Sequence, residues 1–234
     1  MLKKTSSTKN EPSISDMLLI HLNKKDRDLF KRAGKGDASV MEDPRVTTIK
    51  DQMGRTPLHY LAYSGNIEVL KHPQVATLAS EEDYIGTTPL FALAVAGKTE
   101  VLEYPDVMKY RLEKCSNYTV LHTLALYSDD VYTILKHPLV DKVKDSMNRT
   151  PLYILAQRGR FEILDHPSVM DGFENGDSPL HALLHRIANW LSDSYFMKQV
   201  LKDIKSKNPK EVLEEVFSTR VIKAFKAYKD SGNP

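Results

Sequence analysis

Eight histidines occur in 234 residues, and they are the first candidates for site chemistry. Imidazole serves as general base and as metal ligand. Three of the eight, His72, His137 and His166, recur at one position of a repeating pattern, each followed by proline in an H-P-x-V string. Such recurrence argues against a metal, because equivalent positions in stacked units lie about 10 Å apart and zinc holds its ligands at about 2 Å. The column also reads Asp43, His72, Tyr104, His137, His166, so no ligand chemistry is kept along it. Cys115, the only cysteine, sits between Lys114 and Ser116. A neighbouring cation can lower a thiol's pKa, but no partner base is identifiable. The pairs Glu81–Glu82 and Asp129–Asp130 read as solvated turn residues rather than acid–base dyads. With no glycine-rich phosphate loop, no H-E-x-x-H and no nucleophile elbow, the expectation is a non-enzyme with no catalytic residues, cofactor or metal.

The elements that carry these residues are repeats. GRTPLHYLAYSGNIEVLKHPQV from Gly54 matches GTTPLFALAVAGKTEVLEYPDV from Gly86 nearly position for position, and the pattern continues from Asn117, from Asn148 and, decaying, from Gly176. The Thr/Ser that opens each copy stands at 56, 88, 119, 150 and 178, spaced by 32, 31, 31 and 28 residues. Residues from Ala33 to Val46 align with the second half of a unit. Within a unit, Thr56 can cap a helix whose first position is Pro57, where a missing N–H costs nothing. Leu58, Leu61 and Ala62 then share one face, and Gly65 ends the helix. A second helix of about two turns through Ile67, Val69 and Leu70 is stopped by Pro73. Two short helices bury little alone, whereas stacked pairs close a continuous apolar seam and leave atypical units at the ends.

The T-P-L-H start, the L-A-x-x-G that follows and the E-V-L after it resemble the ankyrin repeat, over roughly residues 30–190. That resemblance implies an all-α helical repeat solenoid in which each unit is a hairpin turn followed by two antiparallel helices. It also implies that His59, His122 and His181 tie turn backbones together, with Phe91 and Tyr153 replacing the imidazole in two copies. The sequence departs from the usual unit where an early H-P-x-V replaces a longer leucine-rich helix, so short, irregular second elements are expected. The organisation expected is a disordered tail over 1–12, an N-terminal cap helix and half-repeat over 13–50, ankyrin-like repeats over 51–185, and a C-terminal helical cap over 186–234.

Hydrophobic residues make up 41% and charged residues 27%, close to soluble globular averages. No apolar run approaches the roughly 20 residues that span a bilayer, and the opening residues lack the apolar stretch of a secretory leader. A single cysteine suits a reducing compartment, so a cytoplasmic location is expected. Residues 1–35 carry 9 Lys/Arg against 4 Asp/Glu and residues 186–234 carry 10 against 6, which leaves the middle with 14 against 21. A nucleic-acid binder keeps its cations along the working face. This chain moves them to its ends, so nucleic acid is not the expected partner.

Positions where the repeat frame permits any residue, and this sequence chooses a large apolar one, point to another protein as partner. Counting back three positions from each capping residue gives Met53, Ile85, Ser116, Met147 and Asn175, with Tyr84 and Tyr118 adjacent to that row. The pairs before the repeat glycine are equally permissive: Tyr63 with Ser64, Val95 with Ala96, Leu126 with Tyr127, and Gln157 with Arg158. Aromatic and methionine side chains together are the usual composition of a protein-binding centre. The partner-contact set expected is Met53, Tyr63, Tyr84, Ile85, Val95, Tyr118, Leu126, Tyr127, Met147 and Arg158. An adaptor, an inhibitor, or a viral or bacterial effector aimed at a host protein would all use such a surface. The alternative is nucleic-acid or acidic-membrane binding by the basic C-terminal helices, where Lys198, Lys202, Lys205, Lys207 and Lys210 accompany Trp190, Tyr195 and Phe196.

Overall fold

The computed structural model describes residues 17–78, 86–172 and 175–191. The tail, Tyr84, Ile85 and nearly all of the C-terminal cap lie outside them. The fold is all-α and repetitive. Its α-helices are α1 (Lys24–Gly34), α2 (Pro57–Tyr63), α3 (Pro89–Val95), α4 (Val120–Tyr127), α5 (Val131–Leu135), α6 (Pro151–Gln157) and α7 (Pro179–Leu191), with short 3-10 helices between them. Among the described residues, strand structure is confined to a two-residue ribbon, β1 (Arg111–Leu112) against β2 (Tyr118–Thr119), paired antiparallel. The chain divides after Leu155 into two compact units. No described helix is long and apolar enough to cross a membrane.

Each unit starts as its sequence dictates. Thr56 is extended at φ −99° and ψ 167°, and Pro57 opens α2. The imidazole of His59, at the third helical position, accepts the Thr56 backbone N–H at Nδ1 (3.1 Å). That leaves Nε2 as the N–H, which donates to the Thr87 carbonyl of the next unit at 3.0 Å. His122 repeats the arrangement, accepting from Thr119 and donating to the Arg149 carbonyl. The turn-to-turn tie that the resemblance implied is therefore present at two joints. Phe91 keeps only the packing half of this role, fully buried without a polar atom.

The second elements are shorter than the two-turn helices expected. Ile67–Lys71, Thr99–Glu103 and Phe161–Asp165 are five-residue 3-10 helices, while Val131–Leu135 alone keeps α geometry. Each 3-10 helix buries one apolar side chain completely, Val69, Val101 or Ile163, and Val131–Leu135 buries two, Val131 and Ile134. The H-P-x-V string then acts as a staple. Nδ1 of His72, His137 and His166 accepts the backbone N–H two residues on, at 3.1–3.2 Å, as the Asp43 carboxylate does for Arg45. Asp43, His72, His137 and His166 thus share a capping role, which both a carboxylate and a neutral imidazole can fill. The valine ends the staple by burying its side chain and lending its carbonyl to the next helix: Leu90 N–H reaches Val75 O, and Leu152 N–H reaches Val140 O, both at 3.0 Å.

These staples complete the seam. In the first unit Leu58, Leu90, Leu121 and Leu152 form one fully buried column, and Leu61, Leu93, Leu124 and Leu155 form another; in the second unit Leu180 and Leu183 are likewise fully buried. Each such leucine contributes about 1.5–3 kcal/mol of burial. In the first unit α2 packs on α3 and α3 on α4. Side-chain bonds to main-chain oxygens reinforce the stacking, with Asn66 Nδ2 donating to Gly36 O at 2.8 Å and Ser128 Oγ to Gly97 O at 2.9 Å.

Gly97 sits at φ +75°, and a Cβ placed on it would lie 3.4 Å from the Ser128 Cα. Gly97→Ala is therefore expected to lower the unfolding free energy by about 1–2 kcal/mol, measured by urea denaturation; an unchanged midpoint would contradict this account of the joint. The neutral imidazoles carry a second prediction. Burial holds His72, His122 and His137 below the ordinary imidazole pKa. The unfolded chain then takes up the proton first, so this stabilisation is whole above about pH 6.5 and is lost as pH falls through the imidazole range. Urea unfolding from pH 7.5 to 5 should show stability declining with acid before the carboxylates begin to titrate, and a flat profile would refute it.

Candidate functional site

Two tips share a clamp built on a buried aspartate. Asp51 Oδ1 accepts the N–H groups of Met53 (2.8 Å) and Arg55 (2.9 Å), while Oδ2 meets Arg55 Nε at 3.0 Å and the Tyr60 hydroxyl at 2.8 Å. Burial, with Asp51 beside it, pushes the Tyr60 phenol up, so it remains a donor. Asp145 does the same for Met147 and Arg149, with Nε at 2.8 Å. Both carboxylates are fully shielded from solvent and their arginines about one-fifth exposed. Between aspartate and arginine the chain turns through a left-handed residue, Gly54 at φ 73° and Asn148 at φ 63°. The clamp fixes the turn, and with it the methionine at its apex.

The clamp presents the two methionines differently. Met147 is 63% exposed, whereas Met53 is half-buried. At the helix ends, Tyr127 is 54% exposed and Tyr63, Val95 and Leu126 are half-buried. They stand at the C-terminal ends of α2, α3 and α4, neighbours in the stack about 10 Å apart. Arg158, also half-buried, follows α6 and belongs to the second compact unit.

Tyr118 is corrected by the structure: it is 9% exposed and faces inward. Its ring stacks on His122 at 5.4 Å between centroids, and its hydroxyl receives Arg149 Nη2 at 2.7 Å. Burial pushes its phenol up while Arg149 opposes the shift. The residue belongs to the joint between copies rather than to a contact surface. Cys115 occupies the turn between β1 and β2, half-buried.

Reading the sequence missed the clamp and one exposed ring. The clamp was written twice, as D-Q-M-G-R-T-P-L and D-S-M-N-R-T-P-L, and the shared Asp and Arg flanking each methionine were its trace. Tyr132 is 68% exposed on α5, where Val131 and Ile134 fill the core positions and leave the tyrosine outward. Among the described residues no three His, Cys, Asp or Glu side chains converge to hold a metal. Residues 53–72 match the ankyrin repeat family, and no curated protein shows significant similarity to the chain.

Removing the Asp145 carboxylate takes the acceptor from Arg149 Nε and from two turn amides, and leaves Arg149, among the described residues, only the Tyr118 hydroxyl. Asp145→Ala is expected to cost about 3 kcal/mol, whereas Asp145→Asn, which keeps an acceptor for the amides, should cost less; equal losses in thermal and urea unfolding would show that the charge is irrelevant to the turn.

Proposed function

From a stack of ankyrin-type repeats, we propose that this chain is a non-enzymatic protein-binding module, an adaptor or an inhibitor. Ankyrin repeats are generally protein–protein interaction modules, and one lies at residues 53–72. Two large apolar side chains that stand mostly in solvent at permissive repeat positions support the reading: Tyr127 and Met147, 54% and 63% exposed. Neither is needed for packing, and tyrosine is enriched among residues that dominate binding energy. The grip runs through Met147, Tyr127, Leu126, Val95, Tyr63 and Met53. Arg158, in the second compact unit, is assigned to the contact set by its place in the repeat alone. Tyr84 and Ile85 belong to the same tip row by their place in the repeat.

A body that carries an excess of acidic residues between basic ends also selects its partner. A basic or neutral surface is drawn to it, and an acidic one is repelled. The chain's own chemistry ends at binding, so inhibition would come from covering a partner's working surface and adaptor function from holding two partners together.

The test is crosslinking and pull-down from a cell lysate with the native chain against Tyr127→Ala combined with Met147→Ala. Both residues are exposed, so circular dichroism and the unfolding midpoint should be unchanged while partner recovery falls about tenfold or more. Undiminished recovery would remove these residues from the contact surface.

A further inference from the structure

The charged face of α1 has no part in the surface just described. It borders an open groove of about 820 Å³ lined by Lys24, Lys25, Arg27, Lys31, Arg32 and Arg45, with Asp28 and Asp43 among them. Arg32 is tethered to Asp37 at 2.8 Å and to Ser39, and Arg45 is held by Asp43 at 2.6 Å and Asp26 at 2.7 Å. These fixed guanidiniums form one wall. Lys24, Lys25 and Arg27 are exposed, and no carboxylate lies within ion-pair distance of them among the described residues.

Folding stability does not account for the two lysines. Asn23 caps α1 through its side chain, accepting the Asp26 N–H, so Lys24 and Lys25 occupy the first two helical positions. The helix dipole favours anions there and disfavours cations. Two lysines at that end raise the positive potential over the groove instead of relieving it.

We propose that this groove is a second binding site and that it takes an acidic segment of a protein. The groove is open along its length, so an extended chain segment can lie in it. Among the described residues no aromatic ring lines it, so those residues offer no platform for stacking bases. The mixed lining narrows the choice further. Asp28 and Asp43 would repel the unbroken charge of a phosphate backbone, whereas a peptide can set its carboxylates on Lys24, Lys25 and Arg27 and turn backbone N–H or hydroxyl donors toward the two aspartates. Residues 1–16 carry Lys3, Lys4 and Lys9 against Glu11 and Asp16, the wrong sign for the groove's own occupant.

The experiment titrates a fluorescein-labelled peptide of alternating glutamate and serine into the full chain, followed by anisotropy at low and physiological salt. Lys24→Glu with Lys25→Glu and Arg27→Glu is the comparison, because glutamate suits a first helical turn and the fold should be retained; the triple glutamine variant is the control for charge reversal. Salt-sensitive binding that weakens about tenfold or more in both variants, yet persists in Tyr127→Ala, is the expected result. Equal affinity of native chain and variants overturns the proposal. So does a groove-dependent preference for single-stranded DNA or phosphatidylserine vesicles over the peptide, which would make the site one for phosphate.

Discussion

A helix of seven residues is mostly ends. Four of its backbone N–H groups lack an intrahelical acceptor, and so short a segment does not hold its own conformation in water. The first turn of each helix therefore needs partners from elsewhere, and the stack is organised around supplying them. Threonine and imidazole serve α2 and α4. The Val75 carbonyl serves α3, and the Val140 carbonyl serves α6. Each helix thus exists because its neighbour does.

That dependence explains why the second elements can be so slight. A 3-10 segment of five residues contributes one valine or isoleucine to the core, much less than a full helix would. The staple that follows recovers part of the difference by burying another valine and offering its carbonyl forward. Stability is consequently a sum of joints between nearest neighbours, with the aspartate–arginine clamps holding two of the turns from which the helices start.

Features that repeat along the sequence, the Thr-Pro-Leu starts, the leucine columns and the closing glycine, were legible because a column of like residues can be read without knowing its neighbours. The tip methionines at 53 and 147 were legible for the same reason. Tyr118 was not, because Arg149, which draws it inward, stands 31 residues away and meets it only once the next copy has stacked. The five-residue elements were read as longer helices because a spacing of three or four apolar positions fits both the 3-10 and the α period over so short a run. His72, His137 and His166 were set aside as ligands on spacing and on the mixed chemistry of their column. Their use as caps depends on a ring nitrogen meeting an amide two residues on, which no periodicity displays.

Nearly every polar joint between copies has a main-chain atom on at least one side: His59 on Thr87 O, His122 on Arg149 O, Asn66 on Gly36 O, Ser128 on Gly97 O. A carbonyl is present whatever side chain its residue carries. One copy can therefore drift, or be duplicated or lost, without a matching change in the next, provided the donor and the left-handed turn are kept. Tyr127 and Met147, whose side chains stand mostly in solvent, can diverge with whatever they touch.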